Sequence, residues 1–378
     1  MGVVSPLGVG LADTALALRE GRDCIVPVTA FDTSKCRSKT AGHAPNIGTN
    51  DARLHPASRM MIAAAHEVLR GDPSYSPEIA FIGTTSGGMS DGERYFRTSE
   101  RHQRGQPTML ANYPAQRPVV DALRAIGSRA PAQIIANACA SGSNAIGHAF
   151  RLIRSGLHDR VLAGGYDALC ELVYVGFDSL QAATTDKVRP FDKGRSGLVL
   201  GEGAALLSLE ELESARRRGA PILAEVTGYG ISTDNHHLTQ PHPSGIGPEM
   251  AMSRALADAQ LAAENIDYIN AHGTATAFND SSEGAAIAKL FGSRVPVSST
   301  KGMMGHSLGA AGAIEAVFCV LALADGFLPP NINYREADPA FDLNIVANES
   351  RPAPLRAVLS NSFGFGGTNA SIILEVPR

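Results

Sequence analysis

A short apolar strand that runs through a cysteine into a helix of small residues, Ile134 to Phe150, constrains this chain more than any other stretch. Gln133 to Ala136 follows Pro131 and reads as a buried strand. Asn144 to Ile153 places Ala145, Ala149, Phe150 and Ile153 at helical spacing. A strand delivered so abruptly into a helix is half of a βαβ unit, and the rhythm recurs. Strands are expected at Ile79–Gly83, Arg160–Gly165, Leu198–Leu207, Ile222–Tyr229, Ile266–Ala271, Val295–Ser298, Ala357–Asn361 and Ala370–Glu375. Helices are expected at Leu11–Leu18, Pro56–Leu69, Glu210–Arg218, Pro248–Leu261, Ser281–Leu290 and Leu308–Ala324. Such alternation specifies an α/β architecture with mainly parallel central strands. Residues 21–56 read as irregular, and 90–117, rich in Arg, Gln and Tyr, as a surface or partner-facing layer.

At 378 residues the chain suits two domains or two halves sharing a core, and we divide it into 1–210 and 211–378. The formal net charge of −4 carries no global signal for nucleic acid or an anionic membrane. The five cysteines form no Cys-x-x-Cys pair, which argues against a zinc site or a disulfide framework and for a reducing, cytoplasmic setting. Ala310–Leu323 is too short for a membrane span and is interrupted by Glu315, and the first residues lack the form of a signal peptide.

Cys139 lies at the strand-to-helix turn, where a helix dipole favours thiolate over thiol, and Ala140 to Ser143 leave room for close approach. Such a cysteine is either an activated nucleophile or a buried structural side chain, so the other glycine-rich turns must decide. Asn270 to Thr276 puts His272 at a strand's C-terminal end, where α/β folds bind ligands. Ser299 to Ala313 sets Lys301 and His306 on a turn opening a small-residue helix. In Phe363 to Asn369, glycines flank Phe365 and free backbone N–H groups to face a ligand. Asp280 and Glu283 begin an acidic helix.

The rival chemistries fit less well. His272, His306 and Asp280 include no close-spaced pair, so a metal ranks below nucleophilic catalysis. His236, His237 and His242 read as a loop surface. Gly305-His306-Ser307-Leu308-Gly309 has the letters of a serine-hydrolase elbow, but the strand ends at Ser298, well before Ser307. Thr84 to Gly88 is a glycine turn after a strand and matches no P-loop.

Ala138-Cys139-Ala140-Ser141-Gly142, Asn270 to Thr276, Ser299 to Gly312 and Asn361 to Asn369 together resemble the β-ketoacyl-acyl carrier protein synthases of types I and II. The resemblance runs in order over nearly the whole chain, from Ser5-Pro6-Leu7-Gly8 to the last strand. It implies a thiolase-like fold, two similar halves each with a five-stranded sheet, in α-β-α-β-α layers. The implied reaction is decarboxylative condensation of a Cys139-bound acyl chain with malonyl-acyl carrier protein. The alternative within the fold is a chain-length-controlling partner subunit, which usually lacks the cysteine.

By the same resemblance, Cys139 takes the acyl chain, with the N–H groups of Cys139 and Phe365 as oxyanion hole. His272 and His306 donate to the enolate, and Lys301 pairs with Glu283 and orders them, with Asp280 in support. Thr274 and Thr276 meet the phosphopantetheine arm, Phe365 is a gate, and Phe363 and Gly366 join the substrate site. Ser86 falls near an acyl-pocket position and, being small, implies room for a longer or stiffer chain. The protein needs no cofactor of its own, because phosphopantetheine arrives on the carrier. Its partners are acyl carrier protein and a second subunit, identical or ketosynthase-like. The usual basic carrier-docking position is Gln181, leaving Arg59, Arg53, Lys187 or Arg189 as substitutes. Ala277 and Asn279 replace the family's usual Pro and Gly. Relatives begin with a strand of roughly eight residues, which here is expected to end at Met1-Gly2: either the start is clipped or misassigned, and restoring upstream residues is expected to raise solubility and stability, or the sheet lacks a strand.

Overall fold

The computed structural model describes residues 1–48 and 53–377. It contains two six-stranded sheets, one from each half of the chain. The first has the order Gly8–Val9, Gly2–Ser5, Gly203–Glu210, Arg160–Asp167, Ile79–Gly83, Ala132–Ile135. The second runs Asn344–Ile345, Pro296–Ser298, Tyr268–Asn270, Ala357–Gly364, Thr368–Glu375, Glu225–Thr233. Each is therefore five strands plus a two-residue edge strand, where the resemblance implied five. Ile79–Gly83 lies parallel to both neighbours, as does Tyr268–Asn270. The antiparallel partners gather at the other side of each sheet, as hairpin or return strands. The strand expected to end at Met1-Gly2 instead occupies Gly2–Ser5, with Gly2 opposite Leu206.

Two helices, Ser141–Arg154 and Ala311–Asp325, fill the layer between the sheets, and both touch strands of each half. Pro56–Gly71 and Arg117–Ala125 cover the outer side of the first sheet region, and Ile246–Ala259 and Ala277–Phe291 that of the second. The result is a five-layer α-β-α-β-α stack. Every residue from Ala311 to Leu323 is buried, which explains a composition apolar on all faces. Gly312 is required there: a Cβ would come within 2.2 Å of Ser143 Oγ on the neighbouring central helix.

Several boundaries move. The expected helix Leu308–Ala324 divides into a 3₁₀ turn, Leu308–Ala310, and the α-helix from Ala311. Residues 90–117 are largely helical, in Met89–Glu100 and Pro107–Asn112, with Asp91 and Asn112 buried and hydrogen-bonded to each other. Within 21–56, residues 25–27 and 40–42 pair as short strands; 49–52 lie outside the described residues.

Candidate active site

The four turns singled out from the sequence converge at the carboxyl ends of the parallel strands. Cys139 follows the edge strand and is 6% exposed. Ala138 before it is left-handed (φ 57°), a conformation that costs an L-residue of order 1 kcal/mol and that turns the thiol out of the strand direction. Ala275 (φ 64°) and Leu308 (φ 53°) carry the same strain in the two histidine turns.

His306 Nε2 lies 2.9 Å from Cys139 Sγ. The His272 ring stands nearly perpendicular to that of His306, with centroids 5.1 Å apart, and lies 6.1 Å from the Phe363 ring. The Cys139, His272 and His306 ligand atoms all fall within 4.8 Å of one another, a grouping that could hold a metal. The 2.9 Å Sγ–Nε2 contact argues for a hydrogen bond instead. Two ligands of one tetrahedral ion stand about 3.5 Å apart, given bonds of about 2.0–2.3 Å.

Electrostatics make the trio neutral. Burial lowers the pKa of both imidazoles well below the usual histidine value, and the Lys301 ammonium lowers them further. Burial pushes the Cys139 thiol up to about 11, against the opposing pull of Lys301 and of the Phe365 and Cys139 N–H groups. The expectation of a dipole-stabilised thiolate is thus corrected: helix Ser141–Arg154 begins two residues later, and desolvation outweighs its field. At neutral pH the thiol is protonated and donates to Nε2 in the Nδ1–H tautomer of His306. Alkylation of Cys139 by iodoacetamide, followed on its peptide, should accelerate about tenfold per unit between about pH 7 and pH 10. A rate already flat at neutral pH would contradict a buried neutral thiol.

The carboxylates differ from expectation. Lys301 does not pair with Glu283; its Nζ lies 2.5 Å from Oε1 of Glu315, on the central helix, and both side chains are buried. Glu283 accepts from the backbone N–H groups of His272 and Gly273, each at 2.8 Å, and from Asn361 Nδ2 at 3.1 Å. Burial raises its pKa to about 7, opposed by those hydrogen bonds. Asp280 accepts from the N–H groups of Phe191 at 2.7 Å and Ala275 at 3.2 Å. Glu283 and Asp280 therefore pin the backbone carrying His272 and Thr274, while Lys301–Glu315 supplies the charge behind the imidazoles.

A cleft of about 270 Å³ opens onto this cluster, lined by Cys139, His272, His306, Thr274, Thr276 and Phe363 among others. Thr274 and Thr276 join hydroxyls at 2.9 Å on its wall. Phe365 also lines it, stacked on Phe177 at 5.3 Å. Gly366 faces elsewhere: its N–H donates to the Leu238 carbonyl at 2.7 Å, so it is not available to a substrate. Ser86 is buried and absent from the wall of this cleft, and its hydroxyl donates to Asp167 at 2.7 Å. Asp167 also accepts from the N–H groups of Thr85, Ser86 and Gly309, which ties the Thr84 turn to the turn after His306. Sequence reasoning passed over both Asp167 and Glu315. An acid inside the otherwise apolar run Ala311 to Leu323, and an Asp closing a small-residue strand, were the available signals. A larger cavity of about 790 Å³, beside Leu207 to Leu212 and far along the sheet, is lined by neither cysteine nor histidine and carries none of this chemistry.

The layering and the Cys-His-His cluster define a thiolase-like condensing-enzyme site. Family models agree: residues 1–215 match "Beta-ketoacyl synthase, N-terminal domain" and 223–335 "Beta-ketoacyl synthase, C-terminal domain". The 3-oxoacyl-[acyl-carrier-protein] synthase 2 of Synechocystis sp. is 37% identical, covering 99% of this chain and 96% of its own. The solved ishigamide ketosynthase/chain length factor superposes with a TM-score of 0.92 at 36% identity, covering 100% of this chain and 98% of its own. A type II polyketide ketosynthase bound to the hexaketide, in complex with its acyl-carrier protein, gives 0.91 at 27% identity, with the same coverage. The chain belongs to the β-ketoacyl synthase family.

Proposed function

We propose that this protein is a ketosynthase that extends an acyl chain with malonyl-acyl carrier protein to give 3-oxoacyl-acyl carrier protein, in fatty acid or related polyketide biosynthesis. The observation that carries the reading is the 2.9 Å contact between Cys139 Sγ and His306 Nε2, with a second buried imidazole beside it.

In the first step Cys139 Sγ attacks the carbonyl carbon of an acyl thioester. The bond to the carrier's sulfur breaks, and the thiol proton passes through His306 Nε2 to the departing thiolate. The N–H groups of Cys139 and Phe365, which already act on the sulfur, hold the oxyanion. In the second step malonyl thioester loses carbon dioxide, and the electron pair of the broken C–C bond becomes an enolate. His272 and His306 donate to its oxygen, His306 after its neutral ring has passed from the Nδ1–H to the Nε2–H tautomer. Neutral imidazoles suit the task because each donates a hydrogen bond without keeping a proton that the enolate carbon would take. The carbanion attacks the acyl carbon, and Cys139 leaves as thiolate and is reprotonated from solvent. Phe365 gates the acyl side, moving on Gly366 and Gly367, both at positive φ (80° and 74°). Thr274 and Thr276 meet the pantetheine arm.

The reading makes acyl carrier protein the substrate carrier, a second identical or ketosynthase-like subunit the partner, and the cytoplasm the setting, in keeping with five free cysteines. Supplied with acyl- and malonyl-carrier protein, the wild type should release one carbon dioxide per 3-oxoacyl-carrier protein formed. Decarboxylation without a 3-oxoacyl product, across acyl chains of different length and unsaturation, would refute condensation.

A further inference from the structure

Two large apolar side chains stand open at the mouth of the cleft that leads to Cys139. Phe278, in the first turn of helix Ala277–Phe291, is 59% exposed, and Leu180, which caps helix Glu171–Ser179, is 54% exposed. Both line the cleft. Leu238, 79% exposed, precedes the cleft-lining Thr239 and accepts the Gly366 N–H on the gate loop. Exposed apolar residues scattered singly need no explanation, but three drawn from separate segments around one opening form a patch.

Arg195 is the one Lys or Arg among the cleft-lining residues. Its side chain is 7% exposed and is held by Asp338, Ser281 and the Asp192 carbonyl. Lys187 pairs with Asp23 and Arg189 with Asp186, and Arg189 is itself buried. Arg189 is therefore no open docking cation, whereas the Lys187 side chain keeps 52% of its surface exposed beside Asp23. Gln181, beside Leu180, is neutral.

We infer that this chain reads its carrier protein by apolar contact, with Phe278 and Leu180 as the anchors on which the carrier's surface seats. The inference rests on the ketosynthase reading. The cleft opens onto Cys139, so a carrier that delivers its chain on phosphopantetheine through it covers the rim. A desolvated aromatic and a leucine at the centre of such a contact supply most of its energy, whereas rim charges chiefly steer.

The test compares two donors on the full-length protein: acyl-carrier protein and the same acyl group on free pantetheine. Phe278→Ala and Leu180→Ala should each raise KM for the carrier-bound donor about tenfold, equivalent to about 1.4 kcal/mol, with kcat unchanged. With the pantetheine donor kcat/KM should stay within about twofold of wild type. The wild-type KM for the carrier should change less than about threefold between about 50 and 300 mM salt, since apolar contact is little screened. Variants unchanged with the carrier, equally impaired with both donors, or altered in oligomeric state alone would overturn the inference; so would a steep salt dependence. Wild type that turns over neither donor would instead remove the ketosynthase reading beneath it.

Discussion

The His272→Ala variant is expected to acylate Cys139 nearly as well as wild type yet lose about 10²–10³-fold in decarboxylation of malonyl-carrier protein. The split follows from position. His306, at 2.9 Å from the sulfur, handles the thiol proton, while His272 stands behind it with its ring 5.1 Å away and perpendicular. Removing His272 deletes one donor to the enolate and leaves the sulfur, its proton acceptor and the N–H groups of Cys139 and Phe365 in place. Its backbone stays pinned, because Glu283 holds main-chain rather than side-chain atoms there. Separate assays of acyl transfer and carbon dioxide release distinguish the steps. Retained decarboxylation would refute the role given to His272, and loss of both steps would mean that the two histidines act as one unit.

The second large effect is on stability. Glu315→Ala should destabilise the fold by about 3–5 kcal/mol, because Lys301 would keep a buried charge with no counter-ion. Both side chains are at most 1% exposed, and the helix carrying Glu315 is otherwise apolar from Ala311 to Leu323. The Lys301→Met/Glu315→Leu double variant should recover most of that loss, since an apolar pair of similar volume replaces the ions. It should not recover normal catalysis. Lys301 holds both imidazole pKa values down, so its removal moves the acid limb of the pH–rate profile to higher pH. Denaturant unfolding and a pH profile of condensation check the two halves. A single variant as stable as wild type, or a double variant with an unmoved acid limb, would contradict this account of the pair.

Much of the architecture was legible because strand and helix periods alternate cleanly. Ile79–Gly83 was placed to the residue, and the Cys139 unit to within three. The four site turns were visible as small-residue runs that carry Cys139, His272, Lys301 with His306, and Phe365. Long-range pairing of buried ions was not visible. Lys301 has two acids within reach of a sequence argument, and only the packing of the central helix decides for Glu315 over Glu283. The thiol's state was misjudged for a related reason: a turn's helix dipole can be read locally, but desolvation depends on everything packed around it. Ser86 and Gly366 look available in the sequence, and their polar groups are committed to Asp167 and Leu238.

The account turns on Cys139 as the acyl acceptor, and intact-protein mass spectrometry after incubation with acyl-carrier protein tests it most directly. Wild type should gain the mass of one acyl group, removable by hydroxylamine, and Cys139→Ala should gain none. No adduct on wild type, or the same adduct on both proteins, would contradict it.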